Sequence, residues 1–233
     1  MKVSVILTSY NRSRQIRESV ASVQRQTYSD WELFIVDDNS NEETKEVLNN
    51  IASREPRCTV IQSGVLQEDR LKTTRYASCI NLAIPHLTGE LVSYLTDDDI
   101  YYPERFERMV DVFRNRPDIS VVYGSQRVVI INQYGIMSQS IRPLIGITRS
   151  PFNRVDHNSI MHRRSCFEVV THWDDNPSYW GYADAIFFSR LAEYWDFHPI
   201  NFITDEHRVH QNSVQSKMHH HVQPWLGRFE PLD

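Results

Sequence analysis

Glycine is scarce in this sequence, and the scarcity is informative. Only seven occur in 233 residues, and the first strand-like run, Val3–Leu7, leads into Thr8-Ser9-Tyr10-Asn11 instead of a glycine-rich turn. A dinucleotide dehydrogenase needs glycines there so that the backbone can approach a pyrophosphate, and a P-loop ATPase needs its own glycine-rich loop; neither pattern is present. Cysteine is equally sparse. Cys58, Cys79 and Cys166 are far apart and match no metal-ligand spacing, which predicts buried thiols in a reducing compartment and not a disulfide scaffold. Lysine and arginine number 25 against 30 aspartates and glutamates, a formal net charge of -5, so no global basic field marks nucleic acid as a partner. No apolar run is longer than a strand, and Met1-Lys2 passes directly into Val3–Leu7 without signal-peptide architecture. The expectation is a soluble cytoplasmic protein, with peripheral contact to a membrane and assembly into homo-oligomers left open.

What is present is organised around Val92-Ser93-Tyr94-Leu95-Thr96-Asp97-Asp98-Asp99, an apolar β-favouring run that ends in three consecutive carboxylates. Three anions at one strand end repel one another, and a divalent cation such as Mg²⁺ or Mn²⁺, which takes oxygen ligands and completes its shell with phosphates, would relieve that repulsion. The plainer alternative is a solvated acidic loop capping the helix that follows Pro103.

The rest of the chain gives these acids a frame. Strands are predicted at Val3–Leu7, Trp31–Val36 and Cys58–Gln62. Helices are predicted from a Ser13 cap to about Gln26, from Glu42 to about Ser53, from Thr73 to His86, and through Phe106, Val110 and Phe113. The strand–helix alternation predicts an α/β fold with a mainly parallel sheet and helices on both faces. Ile119–Val122 begins another strand that continues through Val128 to Ile131, before a turn at Asn132–Gly135. Beyond about Gln139 the alternation stops. A brief strand at Ser159–His162, a short helix at Arg164–Val170, a helix at Asp184–Tyr194 and an extended segment at Thr204–His210 are expected there. The tail from Gln215, with His219-His220-His221, is polar and irregular. No repeat or linker divides the chain, so a single domain is expected, with a first half at 1–100, a second half at 101–215 and a tail at 216–233.

Ligands of open parallel sheets bind outside the carboxyl ends of the strands. Three such ends carry polar groups here: Thr8-Ser9-Tyr10, Asp37-Asp38 and Thr96–Asp99. Together they make a site that can stack a base on Tyr10, accept its N–H on Asp38 and hold a diphosphate through a metal on the later acids.

These same residues carry a resemblance. VSVILTSYN at 3–11, ELFIVDDNS at 32–40 and GELVSYLTDDD at 89–99 resemble the nucleotide-sugar-binding half of the family-2 inverting glycosyltransferases of GT-A fold. NSNEET at 39–44, KTTRYASCINLAI at 72–84 and DHNSIMHR at 156–163 bring the likeness closer to spore-coat polysaccharide members. The resemblance implies a nucleoside-diphosphate-sugar donor, UDP- or dTDP-linked, bound through Thr8, Tyr10, Asp38 and Asp97, with Arg70 near the base or phosphates and Lys72 and Arg75 as alternatives to it. It also implies a saccharide acceptor on a glycan, lipid or protein. The family's Asp-any-Asp triplet is altered. Thr96 takes the first position, so the resemblance places the Mn²⁺ or Mg²⁺ ligand at Asp98, the ribose or sugar contact at Asp97, and Asp99 as a cap for the next helix; a register using Asp97 and Asp99 stays open. The general base falls on Asp184, where Ala183 replaces the usual preceding Glu, with Asp174 and Asp175 as fallbacks. Within Glu206–Ser213 the late Arg-any-His motif makes His210 a metal or diphosphate residue. His157 and His162 are expected to support the acceptor-side wall. Trp173, Tyr179, Trp180 and Tyr182 form either a sugar-stacking platform or core. The competing readings are a sugar-phosphate nucleotidyltransferase, for which Thr8–Arg14 is a poor triphosphate loop, and a non-catalytic nucleotide-sugar-binding scaffold.

Overall fold

A computed structural model describes residues 1–210 and 230–231. In chain order the elements are β1 (Val3–Ser9), α1 (Gln15–Gln24), β2 (Trp31–Asp37), α2 (Glu42–Arg54), β3 (Cys58–Gln62), α3 (Arg75–Ala83), β4 (Leu91–Thr96), β5 (Ile100–Tyr101), α4 (Arg105–Asn115), β6 (Val121–Asn132), β7 (Gly135–Arg142), β8 (Ile160–Arg163), α5 (Ala183–Ala192), β9 (Phe197–His210) and β10 (Glu230–Pro231). Gln211–Ser213 of the expected late motif, the start of the tail and His219–His221 lie outside the described residues.

The sheet runs β10-β7-β6-β8-β4-β1-β2-β3, with β9 beside β6 and β5 against β9. Its first half is parallel throughout: β1 pairs with both β2 and β4, and β2 with β3. Burial explains why these strands read as nearly continuous apolar runs. Alternate residues of β1 enter opposite cores. Val3, Val5 and Leu7 pack with Ile16, Val20 and Val23 of α1 and with Phe106, Met109 and Val110 of α4, while Ile6 packs with Ala77 and Ile80 of α3 and Phe187 of α5. Each such aliphatic side chain, removed from water, stabilises by roughly 1.5–3 kcal/mol. The expected helices on both faces are therefore present.

The second half turns antiparallel. β8 pairs antiparallel with β4 and with β6, and β7 with β6, whereas β9 runs parallel to β6 through two register shifts. Those irregularities, together with half-exposed β7, break the two-residue alternation that sequence periodicity needs. The final strand is accordingly longer than the expected Thr204–His210.

Two capping expectations are corrected. α1 has Arg14 at its N-cap with no side-chain cap bond, because the Ser13 hydroxyl donates instead to Glu43 Oε1 at 2.7 Å. Asp99 does not cap α4: β5 intervenes, and Glu104 occupies the N-cap without a side-chain bond. By contrast α2 is capped as its sequence suggests, Asn41 accepting the Thr44 N–H at 3.0 Å, with Glu42 and Glu43 in the first turn and Arg54 in the last favouring the helix dipole. At the turn into β4 the Gly89 N–H donates to Ser4 Oγ at 2.9 Å. A Cβ there would lie 2.6 Å from that oxygen, so only glycine lets this turn close onto β1.

Candidate active site

The parallel pairing places Ser9, Asp37 and Thr96 at neighbouring strand ends, so the segments that leave them converge on one edge of the sheet. Thr8 sits between Val36 and Thr96 in this register. The Tyr10 N–H donates to Asp97 Oδ2 at 3.0 Å, which ties the first strand end to the acidic run.

The base-side residues form a compact cluster. Arg70 lies with its guanidinium 3.7 Å from the Tyr10 ring centroid and forks onto Asp38, donating to the main-chain oxygen and to Oδ2 at 2.7 Å each. Arg75 donates to the other carboxylate oxygen from Nη2 at 2.5 Å, and the Cys79 thiol meets that oxygen at 3.3 Å. Arg70 and Arg75 thus share one carboxylate. Lys72 does not join them; it pairs with Asp69 at 2.5 Å and is exposed. Because Arg70 covers the face of Tyr10 and takes Asp38 Oδ2, it holds both contacts that a planar base with an N–H would use.

The three consecutive acids have three different environments. Asp97 is buried, and that burial, followed by the charge of Asp98, pushes its carboxyl up to about 7. Asp98 is raised by burial and by the charge of Asp99, with Arg12, His207 and His210 pulling the other way; Arg12 Nη2 stands 3.6 Å from its Oδ2. Asp99 is fully buried and accepts from Thr96 Oγ1 at 2.6 Å, Asn158 Nδ2 at 2.7 Å, His207 Nδ1 at 2.9 Å and the Arg208 main-chain N–H at 2.7 Å. Burial works against its charge, but the His207 imidazolium and these hydrogen bonds hold it below the ordinary carboxylate value. The same pairing lifts His207 to about 10 against the opposing effect of burial. Asp99 is thus engaged by structural hydrogen bonds, three on Oδ2 and one on Oδ1, and Asp98 is the member left partly open.

His210 has its Nε2 buried with no hydrogen-bond partner among the described residues. A buried imidazole nitrogen with no hydrogen bond to make is of the type that ligates metals. Among the described residues no three His, Cys, Asp or Glu side chains group to hold an ion unaided, so an ion here would take Asp98 and His210 and complete its shell from phosphate and water, as Mg²⁺-type ions do.

Asp184 stands in the first turn of α5. Its main-chain N–H donates to the Tyr76 hydroxyl at 3.1 Å, its Oδ1 accepts from Ala185 N–H at 2.8 Å, and its Oδ2 faces His157 Nδ1 at 3.8 Å. The fallback acids are occupied differently. Asp175 accepts from Ser78 Oγ at 2.7 Å, and Asp174 accepts the Asn176 N–H at 3.0 Å. One acceptor-side expectation is corrected, and for Trp173 the core alternative holds. His162 is fully buried and bonded to the Tyr94 hydroxyl at 2.7 Å, where burial pushes its pKa down to about 4, so it is a core residue. Trp173 is also fully buried, stacked on Phe187 at 4.6 Å. Trp180 and Tyr182 do reach the surface, and Tyr179 packs against Tyr182 with ring centroids 5.5 Å apart.

Sequence reasoning missed Arg12, Asn158 and His207. Asn158 accepts from the Thr96 N–H at 3.0 Å and donates to Asp99. Its neighbour Asp156 is held well below the ordinary value despite burial, mainly by Arg142 at 3.2 Å. The one signal for Asn158 was its place in the stretch 156–163.

The model described as "Glycosyl transferase family 2" matches residues 4–170. Protein CgeD of Bacillus subtilis is 43% identical over 210 residues, which cover 88% of this chain and 49% of CgeD. The chain spans about half the length of the curated relatives it matches. Among solved structures, S. aureus TarS 1-349 in complex with UDP-GlcNAc superposes with a TM-score of 0.68 at 15% identity, covering 93% of this chain and 61% of that one. The mannosyltransferase PcManGT from Pyrobaculum calidifontis, in complex with GDP-Man and Mn²⁺, gives a TM-score of 0.65 at 16% identity, covering 93% and 59%. At such identities the two structures establish the shared fold.

Proposed function

The chain belongs to glycosyl transferase family 2, and from that membership and the geometry of the strand ends we propose that it is an inverting hexosyltransferase acting on a nucleoside-diphosphate-sugar, UDP-linked first, and a saccharide acceptor. The observation that carries this reading is the division of labour among the three acids: Asp99 engaged by structure, Asp97 tied to Tyr10, and Asp98 beside a His210 whose Nε2 has no hydrogen-bond partner among the described residues. The relatives lend support. TarS was solved with UDP-GlcNAc and PcManGT with GDP-Man and Mn²⁺.

In this reading residues 1–100 bind the donor and 101–215 face the acceptor. Tyr10 supplies a stacking surface for the base and Asp38 accepts its N–H, with Arg70 turning from the Tyr10 face toward the base edge or phosphates. Asp97 addresses the ribose or sugar. Asp98 and His210 hold Mn²⁺ or Mg²⁺, which when bound would act as a Lewis acid on the departing diphosphate. Asp184 takes the proton of the acceptor hydroxyl as its oxygen bonds to the anomeric carbon; the bond from that carbon to phosphate breaks on the opposite face, and its electron pair leaves with the diphosphate. Configuration therefore inverts.

The test is UDP release from UDP-glucose and UDP-N-acetylglucosamine with Mn²⁺, with and without saccharide acceptors. Asp184→Asn is expected to lower release by about 100-fold or more while leaving UDP affinity near wild type. Donor binding without release by the wild type under every acceptor condition would instead support the scaffold reading.

A further inference from the structure

The tripeptide Asp156-His157-Asn158 touches both halves of the candidate site. Asn158 bonds the strand end at Thr96 and Asp99, and the residue before it turns toward Asp184. His157 is mostly buried. Its ring stacks on Tyr76 with centroids 6.1 Å apart at 20° and meets Trp173 edge-on at 6.4 Å. Tyr76 in turn accepts the Asp184 main-chain N–H. The candidate base is thereby held three ways: its backbone by Tyr76, one carboxylate oxygen by Ala185, the other by His157.

We propose that His157 is a positioning residue for transfer, its ring holding the Asp184 carboxylate in the orientation that receives the proton of the acceptor hydroxyl. This rests on Asp184 being the base. A carboxylate engaged by fixed neighbours keeps a set direction of approach for the acceptor hydroxyl, and a charged ring holds it more firmly than a neutral one. Three carboxylates face His157 from three segments: Asp184 on α5, Asp156 on its own turn and Asp99 after β4. Although burial acts against the charged ring, the bond to Asp184 and the charges of Asp156, Asp184 and Asp99 raise the imidazole pKa above its ordinary 6.5. The sign follows. The cation is present below that raised value and is lost as pH climbs through it, so wild-type transfer should decline on the alkaline side. The same turn reaches the acids at the end of β4 through Asn158 and the candidate base through His157.

The experiment measures UDP release from UDP-glucose and UDP-N-acetylglucosamine with Mg²⁺ between about pH 5.5 and 9, a range chosen to cross imidazole titration, alongside UDP affinity by calorimetry. His157→Gln and His157→Asn should lower kcat about 10-fold near neutrality, the scale of a misaligned reacting group, with UDP affinity retained and the alkaline decline gone. A drop by the same factor at every pH would assign His157 to packing alone and overturn the proposal, as would an unchanged rate and profile. A second readout needs no turnover: the ¹⁵N-imidazole titration of His157 by NMR should move down in Asp184→Asn, and an unmoved titration would break the pair. The two readings separate cleanly. Full release by Asp184→Asn would sink the base assignment, whereas loss in Asp184→Asn with wild-type behaviour in both His157 variants would sink only the role of His157.

Discussion

Replacing Asp99 by alanine removes the acceptor shared by four buried donors: the Thr96 hydroxyl at 2.6 Å, the Asn158 amide at 2.7 Å, the His207 ring at 2.9 Å and the Arg208 backbone at 2.7 Å. One donor is an imidazolium, and Asp99 itself is fully buried. Deleting one member of a buried ion pair typically costs about 3–5 kcal/mol, because the partner is left charged and desolvated. Each neutral donor left without an acceptor would add about 1–3 kcal/mol if nothing relaxed. His207 can shed its proton and water can enter the vacated volume, so a net loss of about 3–5 kcal/mol is expected out of a total stability of about 5–15 kcal/mol. Urea unfolding of wild type, Asp99→Ala and Asp99→Asn at neutral pH reads this directly. Asparagine keeps one oxygen acceptor and loses the charge, so it should fall between the other two. A double-mutant cycle with His207→Ala should return a coupling above about 1 kcal/mol. If Asp99→Ala cost less than about 1 kcal/mol, the range of an ordinary exposed substitution, the claim that Asp99 is consumed by structure would be wrong. The argument reserving Asp98 for a ligand would fall with it.

Three further outcomes follow from other contacts. Glu32, which accepts from Lys2, Ser4 and Thr88, has a pKa brought down to about 2 despite burial. Its contribution is therefore present above the ordinary value of 4.5 and lost as pH falls toward 2, and Glu32→Gln should cost about 3 kcal/mol at pH 7 with a flatter acid limb in urea titrations. An acid limb unchanged from wild type would contradict that bonding. Asp38→Ala strips Arg70 and Arg75 of their common partner and should weaken UDP binding by about 10–100-fold, the worth of a charge-assisted hydrogen bond; equal affinity by calorimetry would remove Asp38 from the base site. His210→Ala should reduce the Mn²⁺ dependence of UDP binding while leaving metal-free binding at its wild-type level, because no hydrogen bond of the described fold uses its Nε2.

The donor half was legible in the sequence because its strands are buried on both faces and its helices repeat at regular spacing. Cys58–Gln62 coincides with β3, and the α2 boundary lies within one residue of its expected end. The site's outline was legible for a related reason, since polar groups at the ends of parallel strands must meet. What stayed hidden depended on long-range partners. Asp99 looked like a helix cap because Pro103 and Phe106 follow it, yet His207, 108 positions later, claims it. His162 looked like a wall residue, and Trp173 could be platform or core, because both sit in an irregular stretch; β8 and the loop before α5 carry them into the core against Tyr94. Ser13 lost its capping role to a glutamate on the next helix. In each case a residue capable of a local bond found a better one across the fold, and nothing in sequence spacing records that competition.

The most direct test of the donor site is anomalous diffraction at the manganese edge from crystals grown with UDP and Mn²⁺. The account predicts one strong peak bonded to an Asp98 carboxylate oxygen, to His210 Nε2 and to oxygens of both phosphates, and loss of that peak in Asp98→Ala. Clear density for UDP with manganese absent from Asp98, or bound instead through Asp99, would contradict it.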